Sequence, residues 1–361
     1  MARPNQARLS LKALRHNMEV VRQLAPRSKV MAVVKANAYG HGALAVAQTL
    51  APLVDALAVA CIEEAQALRD GGIEAPILLL EGAFEETELA AAAARDFWVT
   101  IDNERQLQWL ERARLPRPLC CWLKIDTGMR RLGVDPAQAA LFYQRLTASA
   151  NARDDIVLST HFASADDLDS DQTSAQLEQF EASCADLPGP RSAANSAGVL
   201  AWPASHYDWV RPGYMLYGNS PMVSDHPAAR TLRPVMTLVS AVISLRDVAV
   251  GETVGYGATW TTSRPSRIAT VCIGYGDGYP RLAPAGTPVL VNGRRAPLAG
   301  RVSMDMITVD VTELPGTSIG DEVILWGDGL PVAEVARHVG TIGYELTTRM
   351  PARTPRVVAD S

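Results

Sequence analysis

The sequence predicts a (β/α)8 barrel followed by a mainly antiparallel β domain. Over about the first two thirds of the 361 residues, short apolar runs alternate with amphipathic segments, which is typical of parallel strands joined by right-handed helical crossovers. After about Val223, strand-like runs follow one another with Gly and Pro between them, as in an antiparallel sheet. We expect the barrel in residues 1–225, with its first few residues able to pair with the second domain, and the β domain in residues 226–361.

The elements of the barrel are predicted in chain order. Ser10 can cap a first helix whose apolar residues recur at spacings of three and four. The continuous apolar run at residues 30–34 is typical of a strand that is buried on both faces. Seven further strands, with helical segments between them, are predicted at residues 56–60, 77–80, 97–101, 119–125, 156–160, 191–194 and 207–210.

In the second domain, the sequence pattern predicts mostly strands and few helices. Strands are predicted at residues 235–245, 268–273, 288–291, 307–311 and 322–325. Helices are predicted only at residues 331–339 and around Tyr344.

Composition and charge exclude several classes of protein. The formal net charge of −5 gives no basic surface for nucleic acid. There is no run of about 18 apolar residues that would span a membrane, and residues 1–9 lack the apolar segment of a secretory signal. Five cysteines without a C-x-x-C pair and six histidines without an i, i+4 pair predict neither a disulfide framework nor a metal site. We expect a cytoplasmic protein with no nucleic-acid or membrane partner.

Polar side chains collect at the predicted carboxyl ends of the barrel strands. In this fold, catalytic groups lie at that end. The residues there are Lys35, Lys124 with Asp126, His161, Asn195 with Ser196, and Arg211 with Gly213 and Tyr214. Five of the eight predicted strands thus bring a charged or polar group to one rim, which predicts an active site.

Lys35 is the most informative of these residues. A lysine at a strand end can simply extend its amine into water. Beside other cations in a desolvated site, however, the amine loses its proton readily and can form a Schiff base. Phosphate-binding groups in such barrels come from the loops after strands seven and eight, where Ser196 and the Gly213–Tyr214 backbone are expected. Together these features indicate pyridoxal phosphate.

Six fragments then identify a family. They are residues 33–42 (VVKANAYGHG), 124–133 (KIDTGMRRLG), 160–163 (THFA), 211–213 (RPG), 254–258 (VGYGA) and 301–305 (RVSMD). In this order, and over nearly the whole chain, they resemble the motifs of alanine racemases. The resemblance implies a pyridoxal-phosphate-dependent isomerase that interconverts L- and D-alanine in a homodimer with shared active sites.

The resemblance also implies two acid/base groups, because racemisation removes a proton from one face of the α-carbon and returns it on the other. Lys35 carries the cofactor and serves one face. Tyr256, reaching in from the partner subunit, serves the other. His161 is linked to this tyrosine, and Arg211 is linked to His161. Arg211 cannot accept a proton from the pyridine nitrogen of the cofactor, which therefore stays unprotonated.

The other site residues are also implied by the resemblance. Arg131, chosen over Arg130 from the Gly-Met-x-Arg spacing, holds the substrate carboxylate together with the backbone of Met304 from the partner subunit. The expected phosphate ligands are Tyr39, Ser196, Gly213, Tyr214 and Tyr344. The supporting residues are Lys124, which relatives often carry as a carbamate, Tyr275 at the entrance, and Asp305.

Two other classes of protein have a similar barrel. Amino-acid decarboxylases built from a similar barrel and β domain use a triple-glycine phosphate loop, which this sequence lacks. Non-catalytic pyridoxal-phosphate carriers are barrels alone, without the region that contains Tyr256 and Met304. The sequence leaves open whether serine or other small amino acids are accepted. It also leaves open whether D-alanine is made for peptidoglycan or degraded.

Overall fold

The computed structural model describes residues 3–359 and confirms the predicted fold class. Eight parallel strands form a closed barrel in the order β2-β3-β4-β5-β6-β7-β8-β9. Their bounds are β2 Lys29–Val33, β3 Ala56–Val59, β4 Ile77–Leu79, β5 Phe97–Ile101, β6 Cys121–Lys124, β7 Val157–Ser159, β8 Arg191–Ser192 and β9 Trp209–Val210. Strands β8 and β9 are shorter than predicted. Residues 193 and 194, which were predicted as part of the seventh barrel strand, lie outside β8. Asn195 and Ser196, which follow them, line a cavity.

Helices surround the barrel. They are α1 Leu11–Leu24, α2 Lys35–Tyr39, α3 Ala43–Leu50, α4 Ile62–Asp70, α5 Glu86–Arg95, α6 Glu104–Arg112, α7 Ala139–Ala148, α8 Gln172–Ser183 and α9 Ser196–Ala201. Short 3-10 helices lie at Ala51–Leu53, Pro136–Gln138, Pro203–Ser205, Tyr214–Tyr217, Ala229–Thr231, Tyr256–Ala258 and Tyr275–Asp277. Ser10 caps α1 as predicted, because its hydroxyl accepts a hydrogen bond of 3.1 Å from the Ala13 amide. No helix among residues 3–359 is long and apolar enough to cross a membrane.

The second body is an eight-stranded, mostly antiparallel sheet. It contains β1 Gln6–Leu9, β10 Met236–Val248, β13 Ser266–Val271, β14 Pro288–Val291, β15 Arg294–Pro297, β16 Ile307–Asp310, β17 Glu322–Trp326 and β18 Arg356–Val358, beside a ribbon of β11 Thr253–Val254 and β12 Trp260–Thr261 and the helices α10 Val332–Val339 and α11 Gly343–Thr348. Sequence patterning missed β15, since only one of its four residues is buried and no apolar alternation exists. The first strand of the chain lies in this sheet, antiparallel to β10 and parallel to β18.

The inside of the barrel is filled by side chains, among them Met31, Val33, Trp122, Val157 and Trp209. The rings of Trp122 and Trp209 meet edge to face at 5.6 Å, a favourable arrangement for aromatic pairs. A packed interior leaves the carboxyl-end rim as the place where a ligand can be bound.

One contact sets the β domain against this rim. A Cβ on Gly40 would lie 1.8 Å from the carbonyl oxygen of Thr347 in α11, so only glycine permits the approach. The Arg356 guanidinium also donates a 3.0 Å hydrogen bond to the Gly40 carbonyl. This contact holds α11, which contains Tyr344, at the mouth of the barrel.

Candidate active site

A cavity of about 870 Å³ opens at the carboxyl end of the barrel. Most of the site residues predicted from the sequence line it. They are Lys35, Tyr39, Lys124, Arg131, His161, Ser196, Arg211, Gly213, Tyr214 and Tyr344. The rule that catalytic groups lie at the carboxyl ends of barrel strands, here called the strand-end rule, thus predicted residues that line one cavity. The β domain contributes Tyr344 to this cavity.

Lys35 is presented by an unusual turn. Ala36, Asn37, Ala38 and Tyr39 all have φ between +52° and +54°, the left-handed region. For residues other than glycine this conformation costs roughly 1–2 kcal/mol each, so surrounding contacts must hold it. The Ala36 amide donates to Glu64 at 2.7 Å, and the Asn37 side chain accepts from the Ala43 amide at 2.8 Å. Sequence analysis missed this turn, although Asn37 and the glycines that follow are residue types that tolerate positive φ.

Hydroxyl groups and backbone amides form a pocket beside this turn. The Ser196 hydroxyl accepts hydrogen bonds from the amides of Gly213 at 2.9 Å and Met215 at 3.3 Å. A Cβ on Gly213 would lie 2.6 Å from the Tyr39 hydroxyl oxygen, so glycine lets this hydroxyl pass close to the backbone. The rings of Tyr214 and Tyr344 stack at 3.5 Å. These groups offer several hydrogen-bond donors to one anion.

The Tyr214 hydroxyl is buried and has no hydrogen-bond partner among the described residues. A buried hydroxyl without a partner is costly. A ligand oxygen at this position would satisfy it. Burial also raises the pKa of Tyr39 to about 12, so its hydroxyl stays protonated and able to donate.

Arg211 is buried in the cavity wall. Its guanidinium donates to the hydroxyl of Ser192 and to the carbonyl oxygens of Thr160 and Ala193. No carboxylate within residues 3–359 forms an ion pair with it, so Arg211 is not held there by a structural ion pair. Burial lowers the pKa of Arg211 to about 10, which still leaves it cationic at neutral pH.

His161 and Lys124 lie among cations. Burial, together with the positive charge of Arg211, holds the pKa of His161 well below its ordinary value, so the imidazole is neutral at neutral pH. The same two causes, in that order, lower the pKa of Lys124 to about 8. The field of the cavity is therefore strongly positive.

The cavity residues fit pyridoxal phosphate. The cations Lys35, Lys124, Arg131 and Arg211 outnumber the carboxylates of Glu81 and Asp166 that also line the wall. Such an excess suits a ligand with a phosphate together with a substrate carboxylate. The partnerless Tyr214 hydroxyl and the glycine-lined pocket beside Tyr39 are further features that a phosphorylated ligand would use.

Four predicted residues lie outside this cavity, on the β domain. Tyr256 is 71% exposed and Met304 is 52% exposed. Tyr275 lies beside Met304, because the amides of Tyr275 and Gly276 donate to the carbonyls of Ser303 at 3.0 Å and Met304 at 2.9 Å. Asp305 forms ion pairs with Arg353 and Arg3, at 3.8 Å in the second case. A single chain thus brings together only part of the predicted site.

Two acidic residues at the rim were missed by sequence reasoning. Glu81 and Asp102 follow β4 and β5, at the same carboxyl ends that supplied the basic residues. Applying the strand-end rule to every strand would have found both of them. Asp102 is buried, and its negative charge acts on Lys124.

Comparison with known proteins agrees with this geometry. The family model described as alanine racemase, N-terminal domain, matches residues 9–221, and the one described as alanine racemase, C-terminal domain, matches residues 235–358. An alanine racemase of Shewanella sp. (strain MR-7) is 52% identical over 97% of both chains, and the biosynthetic alanine racemase of Escherichia coli O157:H7 is 51% identical over 98% of both.

Solved structures give the same result. The biosynthetic alanine racemase of Pseudomonas aeruginosa superposes with a TM-score of 0.95 at 51% identity, over 99% of both chains. The alanine racemase of Bartonella henselae, solved with covalently bound pyridoxal phosphate, superposes at 0.90 with 31% identity over 99% of this chain and 100% of the other. By sequence and by fold, this chain belongs to the alanine racemase family.

Proposed function

We propose that this chain interconverts L- and D-alanine with pyridoxal phosphate held by Lys35, in a homodimer whose subunits share their active sites. The observation that carries the proposal is the division of the predicted residues. A cationic cavity in the barrel contains Lys35 and the expected phosphate ligands, while Tyr256 and Met304 are exposed on the β domain of the same chain.

The residues that would hold the cofactor are those around the left-handed turn. Lys35 would bind it covalently, while Tyr39, Ser196, Tyr344 and the backbone from Gly213 would donate hydrogen bonds to its phosphate. When bound, the cofactor withdraws electrons from the α-carbon and so acidifies the α-proton. Everything else in the reaction is positioning and proton transfer by the chain itself.

Two side chains move the proton. The Lys35 amine takes it from, or returns it to, one face of the α-carbon. The hydroxyl of Tyr256 from the partner subunit does the same on the opposite face. A tyrosine has an ordinary pKa near 10, so its deprotonated form needs stabilisation at neutral pH. We assign this role to His161, which is neutral and able to donate a hydrogen bond, backed by the charge of Arg211.

Arg211 also limits side reactions. Its guanidinium has no proton-accepting atom, so it would donate a hydrogen bond to the ring nitrogen of a bound cofactor and could not take a proton from it. Such a contact would favour quick return of the proton to the α-carbon. An acidic residue in place of Arg211 would favour transamination.

Arg131 and the Met304 backbone of the partner subunit bind the substrate carboxylate, and Tyr275 of the partner subunit narrows the entrance. We further propose a cytoplasmic location. All five cysteines are free, as is usual in a reducing compartment. The product serves either peptidoglycan synthesis or D-alanine catabolism.

Subunit mixing tests the shared site. Homodimers of Lys35→Ala and of Tyr256→Phe should each be nearly inactive in an assay that couples D-alanine to D-amino-acid oxidase. After subunit exchange, one site of each mixed dimer contains both wild-type residues, and activity should reappear. If exchange is demonstrated by mass spectrometry but activity stays absent, the site is built within one chain.

A second assay separates the racemase from the decarboxylase alternative. Incubation of the purified protein with L-alanine should yield D-alanine without release of carbon dioxide. Release of carbon dioxide from any amino acid in a panel, without racemisation, would favour the decarboxylase. Binding of the cofactor with neither activity would favour a carrier.

A further inference from the structure

His41 is a buried histidine that the mechanism above does not use. Only Gly40 separates it from the left-handed turn of residues 36–39. Its side chain is completely buried, yet it does not line the cavity. A buried polar side chain that does not reach the cavity must act through its neighbours, so the contacts of its ring indicate its role.

The imidazole of His41 binds the end of the turn. Its Nδ1 lies 3.0 Å from the carbonyl oxygen of Ala38 and 3.0 Å from that of Tyr39. Both oxygens are acceptors, so Nδ1 carries the hydrogen and donates it to them. Nε2 is buried and has no hydrogen-bond partner within residues 3–359, and burial lowers the pKa of His41 to about 4. The ring is therefore neutral at neutral pH and fixed in one tautomer.

A second contact joins His41 to Tyr217. The rings of these two residues stack at 4.5 Å, and the ring of Tyr217 also packs against that of Tyr39 at 4.9 Å. The Tyr217 hydroxyl donates to the carbonyl of Val33 at 3.0 Å. Val33 is the last residue of β2 and lies two residues before Lys35. His41 thus connects the end of the turn to a ring that is anchored on the strand leading into the turn.

The two ends of the turn are held by different side chains. At its beginning, next to Lys35, the Ala36 amide donates to Glu64 at 2.7 Å. At its end, the Tyr39 carbonyl accepts from His41. The side chain of Tyr39 lines the cavity. His41 therefore acts more directly on the position of Tyr39 than on that of Lys35.

We propose that His41 is a positioning residue that fixes the Tyr39 hydroxyl for an anionic group bound in the cavity. It does so by holding the end of the left-handed turn and by packing on Tyr217. Under the proposed function the anionic group is the phosphate of the cofactor, and this part of the inference rests on that function. The contacts of His41 themselves stand on the geometry of the chain.

Binding of pyridoxal phosphate, compared with binding of pyridoxal, tests this role without using activity, because pyridoxal lacks the phosphate. The full-length protein is freed of cofactor with hydroxylamine and titrated with each compound, and the change in absorbance gives the dissociation constant. His41→Leu removes the donor but keeps a buried apolar side chain. It should weaken binding of pyridoxal phosphate by about tenfold or more, as expected for a lost buried hydrogen bond. Binding of pyridoxal should stay nearly unchanged.

Two further variants separate the hydrogen bond from the loss of a histidine. His41→Asn should restore most of the affinity for pyridoxal phosphate, because its side-chain amide can donate from about the position of Nδ1. His16→Leu is the matched control. The ring of His16 also contacts a backbone carbonyl, that of Thr231 at 2.8 Å, but His16 does not line the cavity. Both dissociation constants should therefore equal those of the wild type.

A double-mutant cycle tests whether His41 acts through Tyr39. Tyr39→Phe removes the hydroxyl and should itself weaken binding of pyridoxal phosphate. Adding His41→Leu to Tyr39→Phe should cause little further loss, because the hydroxyl that His41 positions is already absent. Fully additive losses would overturn the proposal.

The comparison of the two compounds also gives the results that contradict the proposal. Wild-type affinity for pyridoxal phosphate in His41→Leu would overturn it, and so would equal losses for pyridoxal phosphate and pyridoxal, since a general disturbance of the barrel affects both. If His41→Leu does not fold, Tyr217→Leu provides the test, because it removes the ring on which His41 and Tyr39 both pack. Its loss should again be greater for pyridoxal phosphate, and equal losses would overturn the proposal. A wild-type protein that binds neither compound would contradict the proposed function as well.

Discussion

The barrel rim and the exposed face of the β domain differ in how far their predicted site residues are buried and hydrogen-bonded. At the rim, Arg211 and Ser196 are buried and hydrogen-bonded to their surroundings. On the β domain, Tyr256 and Met304 belong to the exposed residues, and neither lines the cavity. A site shared between subunits requires an acid/base residue that lies on an ordered surface outside its own chain's cavity. Tyr256 is in such a position.

The exposed face is nevertheless organised. The Asp277 carboxylate accepts two hydrogen bonds from Arg3 at 2.9 and 3.0 Å, pairs with Arg353 at 3.0 Å, and accepts from the Gly274 amide at 3.0 Å. This clamp holds the loop of Tyr275 against that of Met304. The rim is ordered by burial, whereas the β-domain face is ordered by charge, and both arrangements fix side chains in advance of substrate.

The largest effect is expected from the removal of the Lys35 amine at the barrel rim. Lys35→Ala should abolish racemisation and cofactor attachment, because no other group takes over both roles of the amine. The barrel should stay folded, since Lys35 is only half-buried at a strand end. Borohydride reduction followed by peptide mass spectrometry measures the attachment. A reduced cofactor adduct on a different lysine would contradict the assignment.

Tyr256→Phe tests the part of the predicted active site that lies on the β domain. Removing one acid/base group commonly costs roughly 10²–10⁴-fold in rate. The loss should be greater for α-proton removal from L-alanine than for exchange in D-alanine, because only Lys35 remains. Deuterium exchange at the α-carbon of each enantiomer measures this asymmetry. Tyr275→Phe is the control from the same face, and it should keep exchange in both enantiomers. Near wild-type exchange in Tyr256→Phe would mean that another residue faces the substrate.

The next effect concerns pH and the left-handed turn of the rim. His41 is fully buried, and its Nδ1 lies 3.0 Å from the carbonyl oxygens of both Ala38 and Tyr39. Burial lowers the pKa of His41 to about 4, against about 6.5 in an unfolded chain. The unfolded state therefore binds the proton more tightly, and stability falls as pH decreases from about 6.5 to about 4. The expected contribution is about 3 kcal/mol.

Urea unfolding across this pH range checks the effect. His41→Gln should flatten the pH dependence. If His41→Gln leaves the slope as steep as in the wild type, other groups cause the acid sensitivity.

The smallest expected effect is on the clamp. Asp277→Asn should lower the free energy of unfolding by about 1–3 kcal/mol, because it weakens buried hydrogen bonds to two arginines. Asp305→Asn, at a half-exposed ion pair with Arg353, should cost about 1 kcal/mol or less. Calorimetry of both variants gives the order. An equal cost in the two would mean that the clamp does not hold the β-domain face.

Local patterns were enough to predict much of this molecule. The alternation of apolar runs and amphipathic segments predicted the barrel, and the Ser10 cap followed from residue type alone. The strand-end rule located Lys35, Lys124, His161 and Arg211, because every carboxyl end of a parallel barrel faces the same rim. Strands with few buried residues, such as β15, were missed because they lack the alternation of apolar and polar residues that indicates a strand.

The sequence by itself determined the fold class, the rim and the family resemblance, since these depend on periodicity and on residues near one another in the chain. Only the tertiary structure decided the left-handed turn after Lys35, because packing must compensate its local cost. Only the tertiary structure also decided that Tyr256 lies outside its own chain's cavity. Charge, burial and exposure depend on neighbours distant in sequence, and no local pattern contains them.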